Sequence, residues 1–383
     1  MKDLFSILGE IEILDAAGEA YAMATLVKVS GSTYRGIGAR MLITAKGGAT
    51  GTISGGCLEG DVRERAKQVI ADGKPQLVKY ETTADEDIYW GTGMGCRGVI
   101  YAFIDRPVSF APLFRDLSKQ LRQDTPAVLA TVFDCSGAYK TMTGQRLLFD
   151  GEKVTGGQLE NDTFREAIIA KAVDAWRSGK STAYTFKTDQ GHAEVFIEFI
   201  GTPISFLVFG GGHDVRPLLH FAKQLGWRPT IIEHRPAFAS KELFPEASDV
   251  QLWEDGPIPK GLRLNSRTVC VVMTHNYLTD KKILKGLLCS QARYIGMLGP
   301  TERAQQLLSE IQDEGADITE KQLEKVFSPV GLDIGADNAD EIALAIIAEI
   351  LAVIAGRNGG FLRERKSAIH NRPPLESSGV VDV

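Results

Sequence analysis

The sequence predicts a two-domain α/β protein: an α+β first half built on an internal duplication, then a doubly wound parallel sheet. Three observations carry this. Residues 24–44 (ATLVKVSGSTYRGIGARMLIT) and 130–150 (ATVFDCSGAYKTMTGQRLLFD) align without a gap, and self-similarity of this kind marks a repeated structural unit. Beyond residue 203 the pattern changes to short apolar runs at 206–209, 269–273 and 294–298, separated by helical periods, as expected of parallel strands buried on both faces. Finally, 383 residues are long for one domain and comfortable for two.

In the first half, Ala24, Thr25, Ser30, Gly31, Gly38, Arg40 and Leu42 meet identical residues at Ala130, Thr131, Ser136, Gly137, Gly144, Arg146 and Leu148. Each segment reads as strand, Ser-Gly turn, strand. Further along, GGCLEGD at 55–61 is set opposite GGQLEND at 156–162, each leading into a helix that ends near Gly73 or Gly179. VIYAFID at 99–105 and VFIEFIG at 195–201 alternate as half-buried strands do and close the two copies. The repeat thus spans about 22–105 and 127–201 of a domain covering 1–202. A second domain follows at 203–360, and the polar, proline-bearing tail 361–383 is expected to be loosely ordered.

A net charge of −6 without a long basic run argues against nucleic acid as a partner, because phosphate neutralisation needs clustered Lys and Arg. No apolar run approaches membrane-spanning length. The N-terminus carries charges inside its apolar pattern and reads as an amphipathic helix, not a signal peptide, so a cytoplasmic location is expected. Five cysteines without a CxxC pair point neither to a disulfide framework nor to a structural zinc site.

Chemistry concentrates at GTISGGCLEGD, residues 51–61. Gly55 and Gly56 let the chain turn sharply and bring main-chain N–H groups near a ligand. Cys57 follows just ahead of a helix whose dipole favours thiolate, while Glu59 and Asp61 oppose that effect. It is either a reactive thiol or a small buried residue closing the turn. The first copy also has WGTGMGCRG at 90–98, with Cys96 and Arg97, for which the second copy has no equivalent. Arg35 and Arg97 beside these turns suit an anion held by backbone N–H groups.

The second half opens with strand, GGGHDV at 210–215 and helix, and Glu233 ends the next strand. Gly210, Gly212 and His213 occupy a phosphate-cradling turn, and Glu233 lies at the spacing from which an acid reaches the ribose hydroxyls of a dinucleotide. Val215 replaces the third glycine of that fingerprint. This is a Rossmann-like unit, and NAD(P) is a candidate cofactor. His275, at the carboxyl end of a later strand, is either an acid, base or ligand there, or a capping residue. The helix 338–355 is apolar round most of its surface, which calls for cover by the sheet and by a partner subunit, hence a homodimer. Glu349 within it needs a partner.

Together these motifs resemble the XdhC/CoxI family, accessory factors of molybdenum hydroxylases such as xanthine dehydrogenase. GSTYRGIGARML, GTISGGCLEG and GMGCRG match the N-terminal signature, and VFGGGHDVRPL, VVMTHNYLTD, YIGMLGPTER and SPVGLDIGADNADEIALAIIAEILA match the Rossmann part. Tyr34 stands where the family often has Pro, Arg97 where it has Gly, and Asn276–Tyr277 where an Asp-His pair is usual. The resemblance implies a maturation factor more than a catalyst. It would bind the molybdenum cofactor (molybdopterin), support its sulfuration by a cysteine desulfurase and deliver it to an apo molybdenum hydroxylase. Under it, Cys57 and Cys96 are contacts to molybdenum or sulfur. The rival reading from the residues is an NAD(P)-dependent oxidoreductase using 210–233.

Overall fold

A computed structural model describes residues 2–81, 98–107, 111–253, 256, 258–259, 261–366, 369 and 379–383. The chain divides into two compact units, residues 3–202 together with 365–383, and residues 203–364.

The first unit begins with helix α1 (Lys2–Ala17) and strands β1 (Tyr21–Gly31), β2 (Arg40–Thr44) and β3 (Ala49–Gly51). Helix α2 (Glu59–Asp72) and strands β4 (Gln76–Glu81) and β5 (Gly98–Asp105) complete this half. The same succession follows as α3 (Ala111–Arg122), β6 (Ala127–Cys135), β7 (Arg146–Phe149), β8 (Val154–Gln158), α4 (Asp162–Ser178), β9 (Thr182–Thr188) and β10 (Gly191–Ile200). Both sheets have one order, β3-β2-β1-β5-β4 and β8-β7-β6-β10-β9. In each, a helix covers one face: Val62, Ala66 and Val69 of α2 pack on the first sheet, and Phe164, Ile168 and Ala172 of α4 on the second. The opposite faces share a core with α1 and α3, through Ile7, Ile11, Met23, Leu113, Leu117 and Leu129.

Strand pairing corrects the sequence alignment in two places. Met23 pairs with Asp105 and its counterpart Leu129 pairs with Glu198, so Phe103-Ile104-Asp105 corresponds to Phe196-Ile197-Glu198, three residues from the register expected. A bulge interrupts each ladder at the matching place, at Val27 and at Phe133. Likewise Gly51 pairs with Met41 as Gly157 pairs with Leu147, so Gly156 and Gly157 are strand residues and not counterparts of Gly55 and Gly56. Gln158 pairs with Arg146 inside β8, so it does not stand in for Cys57. Seven residues (52–58) join β3 to α2, whereas three (159–161) join β8 to α4. The Gly-Gly-Cys stretch therefore lies in connecting chain that only the first half has.

Arginine and carboxylate link the halves reciprocally. Buried Arg40 of β2 is ion-paired with Glu198 of β10, and buried Arg146 of β7 is bidentate with Asp105 of β5, at 2.7 and 3.0 Å. The tail, expected to be loosely ordered, ends in strand β17 (Gly379–Asp382), which runs parallel to β9 along the edge of the second sheet, with Val381 and Val383 packed into its core.

The second unit contains six parallel strands, β11 (Ser205–Phe209), β12 (Arg228–Glu233), β13 (Asp249–Leu252), β14 (Thr268–Val272), β15 (Tyr294–Met297) and β16 (Val326–Phe327). Their order, β13-β12-β11-β14-β15-β16, is the doubly wound arrangement with its switch point between β11 and β14. Helices α5 (Val215–Gln224) and α9 (Ala339–Ala355) build the core on one face. Helices α6 (Tyr277–Leu288) and α7 (Thr301–Asp313) build it on the other, and α8 (Glu320–Leu323) is a single turn before β16. Glu349 of α9 finds its partners in the Tyr294 hydroxyl and the Gly331 N–H, the latter at 3.1 Å.

Candidate functional site

The loop between β3 and α2 is organised by Glu59, the first residue of α2. Its carboxylate accepts the N–H groups of Ile53 (3.2 Å), Ser54 (2.9 Å), Gly55 (3.2 Å) and Gly56 (2.8 Å), and the hydroxyls of Thr52 (2.5 Å) and Ser54. Four successive main-chain donors form a concavity that would otherwise receive an anion. Burial pushes the Glu59 carboxyl upward, but the bonds from Ser54 and Thr52 outweigh it and hold the group well below the usual carboxylate range. The Gly55 and Gly56 N–H groups, expected to lie near a ligand, are thus taken by a side chain of the protein itself. Glu59 itself is a brace for the loop.

Gly55 has φ +83° and Gly56 φ +124°, backbone that side chains rarely adopt. A Cβ on Gly55 would also lie 2.9 Å from the Tyr34 ring, which rests on that glycine while remaining 66% exposed. Cys57 comes next and is exposed. The alternatives left by the sequence are thereby separated: the thiol does not close a buried turn. By contrast Cys270 is buried, and burial pushes the thiol of half-buried Cys135 up to about 11. Arg35 is held by Asp3 of α1 at 2.6 Å, so its charge is already engaged at the edge of this region. Cys96 and Arg97 lie outside the described residues. Among the described residues, no group of three or more His, Cys, Asp or Glu is placed to hold a metal ion. Among the described residues of this surface, Cys57 supplies a soft donor. In the sequence Tyr34 carries no signal as a site residue, standing only where the family often has proline.

In the second unit, Gly210 follows β11 and its N–H bonds the Ile232 carbonyl at 2.9 Å. A Cβ there would meet the Met273 carbonyl oxygen at 2.5 Å, so Gly210 answers to close backbone packing, whereas one on Gly212 would meet only the Asp214 carboxylate, a side-chain end that can move aside. His213 is exposed. Glu233 lies under this turn, buried, and its carboxylate is taken by Arg235 through its backbone N–H (2.9 Å), Nε (2.9 Å) and Nη2 (2.7 Å). Burial raises the Glu233 carboxyl and Arg235 more than offsets it, so the net direction is down. Glu233, expected to reach a ribose, is therefore engaged by Arg235 in this structure. His275, at φ +59°, places Nε2 3.1 Å from Asp214 Oδ2 and stays largely exposed, while Asn276 caps α6 by accepting the Thr279 N–H. Thr274 and Arg303 instead converge on buried Asp280, at 2.6 and 2.7 Å.

Fold and loop together define a two-domain α/β protein in which a nucleotide-type sheet follows a doubled, thiol-bearing α+β unit. Residues 206–350 match the XdhC Rossmann domain, and residues 14–81 match the XdhC and CoxI family. The chain is 30% identical over 333 residues to a Bacillus subtilis protein described as a probable subunit of xanthine dehydrogenase, covering 87% of this chain and 93% of that protein. It is 19% identical over 339 residues to the molybdenum cofactor insertion chaperone PaoD of Escherichia coli, covering 88% and 84% respectively. A crystal structure described as a xanthine dehydrogenase from Bacillus halodurans superposes with a TM-score of 0.73 at 26% identity, over 92% of this chain and 96% of that one. The chain belongs to the XdhC/CoxI family.

Proposed function

We propose that this protein is a maturation factor for a xanthine dehydrogenase-type molybdoenzyme: it receives the molybdenum cofactor, holds it during sulfuration by a cysteine desulfurase, and passes it to the apo-enzyme. The observation that carries this reading is an exposed thiol, Cys57, set on a loop whose own main-chain donors are tied off by Glu59. Such a thiol is presented to a partner or cargo at a fixed place, without competition from a bound phosphate. The relatives support the direction, one being described as a molybdenum cofactor insertion chaperone and another as a probable subunit of xanthine dehydrogenase.

The bound cofactor would supply the metal, its sulfur ligand and a flat pterin. Of this chain's residues, Cys57 offers the soft donor for metal or sulfur. The exposed ring of Tyr34 offers an apolar face against which a planar heterocycle stacks. Glu59 keeps the turn that carries Cys57 in one conformation. The oxidoreductase reading loses support where it needed it most, because the acid at the ribose position is buried against Arg235.

Purification from a cofactor-competent host, followed by molybdenum analysis and fluorescence of the oxidised pterin, tests the proposal. Both signals are expected with the wild-type protein and absent after Cys57→Ala. Full occupancy in that variant would remove Cys57 from the mechanism. Micromolar NAD or NADP binding with substrate turnover, and no pterin, would overturn the proposal in favour of the oxidoreductase.

A further inference from the structure

Helix α9 buries Ala343, Ala345, Ile346, Ile347 and Ile350 in its own unit and leaves a second apolar stripe outside. Leu344 is 48% and Leu351 41% exposed, Glu341 and Ala355 are exposed, and Ala348 is half-buried. Positions 341, 344, 348, 351 and 355 fall on one side of a helix. Acidic residues cluster at its start, Asp337, Asp340 and Glu341, all exposed, whereas exposed Arg357 lies just past its C-cap, Gly356.

We infer that this stripe is a self-complementary interface, on which α9 of a second copy packs antiparallel about a two-fold axis near Ala348. Under that operation Leu344 of one copy comes beside Leu351 of the other, as an isologous contact requires. The acidic start of each helix then faces the other copy's Arg357, whereas a parallel pairing would set acid against acid. Small residues at 348 and 355 let the axes approach to the near end of the usual 8–10 Å range. Ile334 (52% exposed), Phe361 (68%) and Leu362 (63%), on the segments leading into and out of α9, extend the apolar area beyond the helix.

The test is sedimentation equilibrium of the full chain over a range of concentrations. A dimer is expected for wild type, and a monomer for Leu344→Glu combined with Leu351→Glu. Arg357→Glu alone and Asp340→Lys alone should each weaken the dimer by about tenfold. Both changes in one chain should restore it. That rescue cannot arise within one copy, because the two side chains lie at opposite ends of a 17-residue helix about 25 Å long, well beyond the Debye length. A monomeric wild type, a dimer that survives both Leu substitutions, or a charge-swapped chain as weak as either single variant would overturn the inference. The charge variants alter solvent-facing groups, so they decide the matter even where the Leu pair unfolds. A monomer that still captures the client molybdoenzyme through this stripe would likewise overturn it and reassign the surface.

Discussion

Glu59 shows how one carboxylate can set the properties of a turn. Because it accepts four main-chain N–H groups and two hydroxyls, replacing it by Gln turns an acceptor-only group into one with two donors that face other donors. We expect Glu59→Gln to cost about 1 kcal/mol, at the modest end for charge-assisted bonds because the loop is partly exposed. Amide hydrogen exchange at 53–56 should accelerate, and iodoacetamide should label Cys57 at a changed rate while Cys270 stays protected. The pH dependence has a definite sign. The Glu59 carboxyl is lowered in the folded state, so its stabilisation is complete above the ordinary carboxylate range and is lost as pH falls through the depressed value. The stability gap between wild type and Glu59→Gln should therefore be level at neutral pH and close on acidification. A gap that widens in acid would contradict the assignment. None of this was legible in the sequence, where Glu59 reads only as a charge that opposes the helix dipole's pull toward thiolate at Cys57.

At the scale of elements, the sequence showed the repeated strand-turn-strand and the glycine turn after β11, because local pattern and spacing encode both. It misplaced the second glycine pair and the closing strand, because letter similarity (GG opposite GG) competes with ladder register, and only pairing fixes register. Arg235, two residues past Glu233, shows the same limit: the spacing matched a ribose acid, but the neighbour that captures its carboxylate was not part of the pattern. Helix α9 was legible as an over-apolar element, and its start rests on Asn338, which accepts the N–H groups of Asp340 and Glu341 at 3.1 and 3.0 Å. Asn338→Ala should cost about 1 kcal/mol and Asn338→Gly only a few tenths, read from denaturant midpoints.

On the scale of the whole first unit, the two halves are joined by Arg40–Glu198 and Arg146–Asp105. Removing one partner strands a buried charge, so Arg146→Met should destabilise by about 3–5 kcal/mol. Adding Asp105→Leu should recover most of that loss, since a fully apolar replacement leaves nothing unpaired. Failure of the double variant to recover would mean that the pair dictates packing beyond its charge. The strand β17 has a different sort of consequence. Among the described residues the outer strand of the first sheet is β4, which carries Lys79 and Glu81, charges that discourage further pairing. On the second, β9 reads TAYTFKT, and the chain's own last residues lie along it. One sheet is finished by chemistry and the other by polypeptide. Trimming the chain before Gly379 should therefore yield a protein that folds but precipitates with time, and adding Lys and Glu to β9 should cure it.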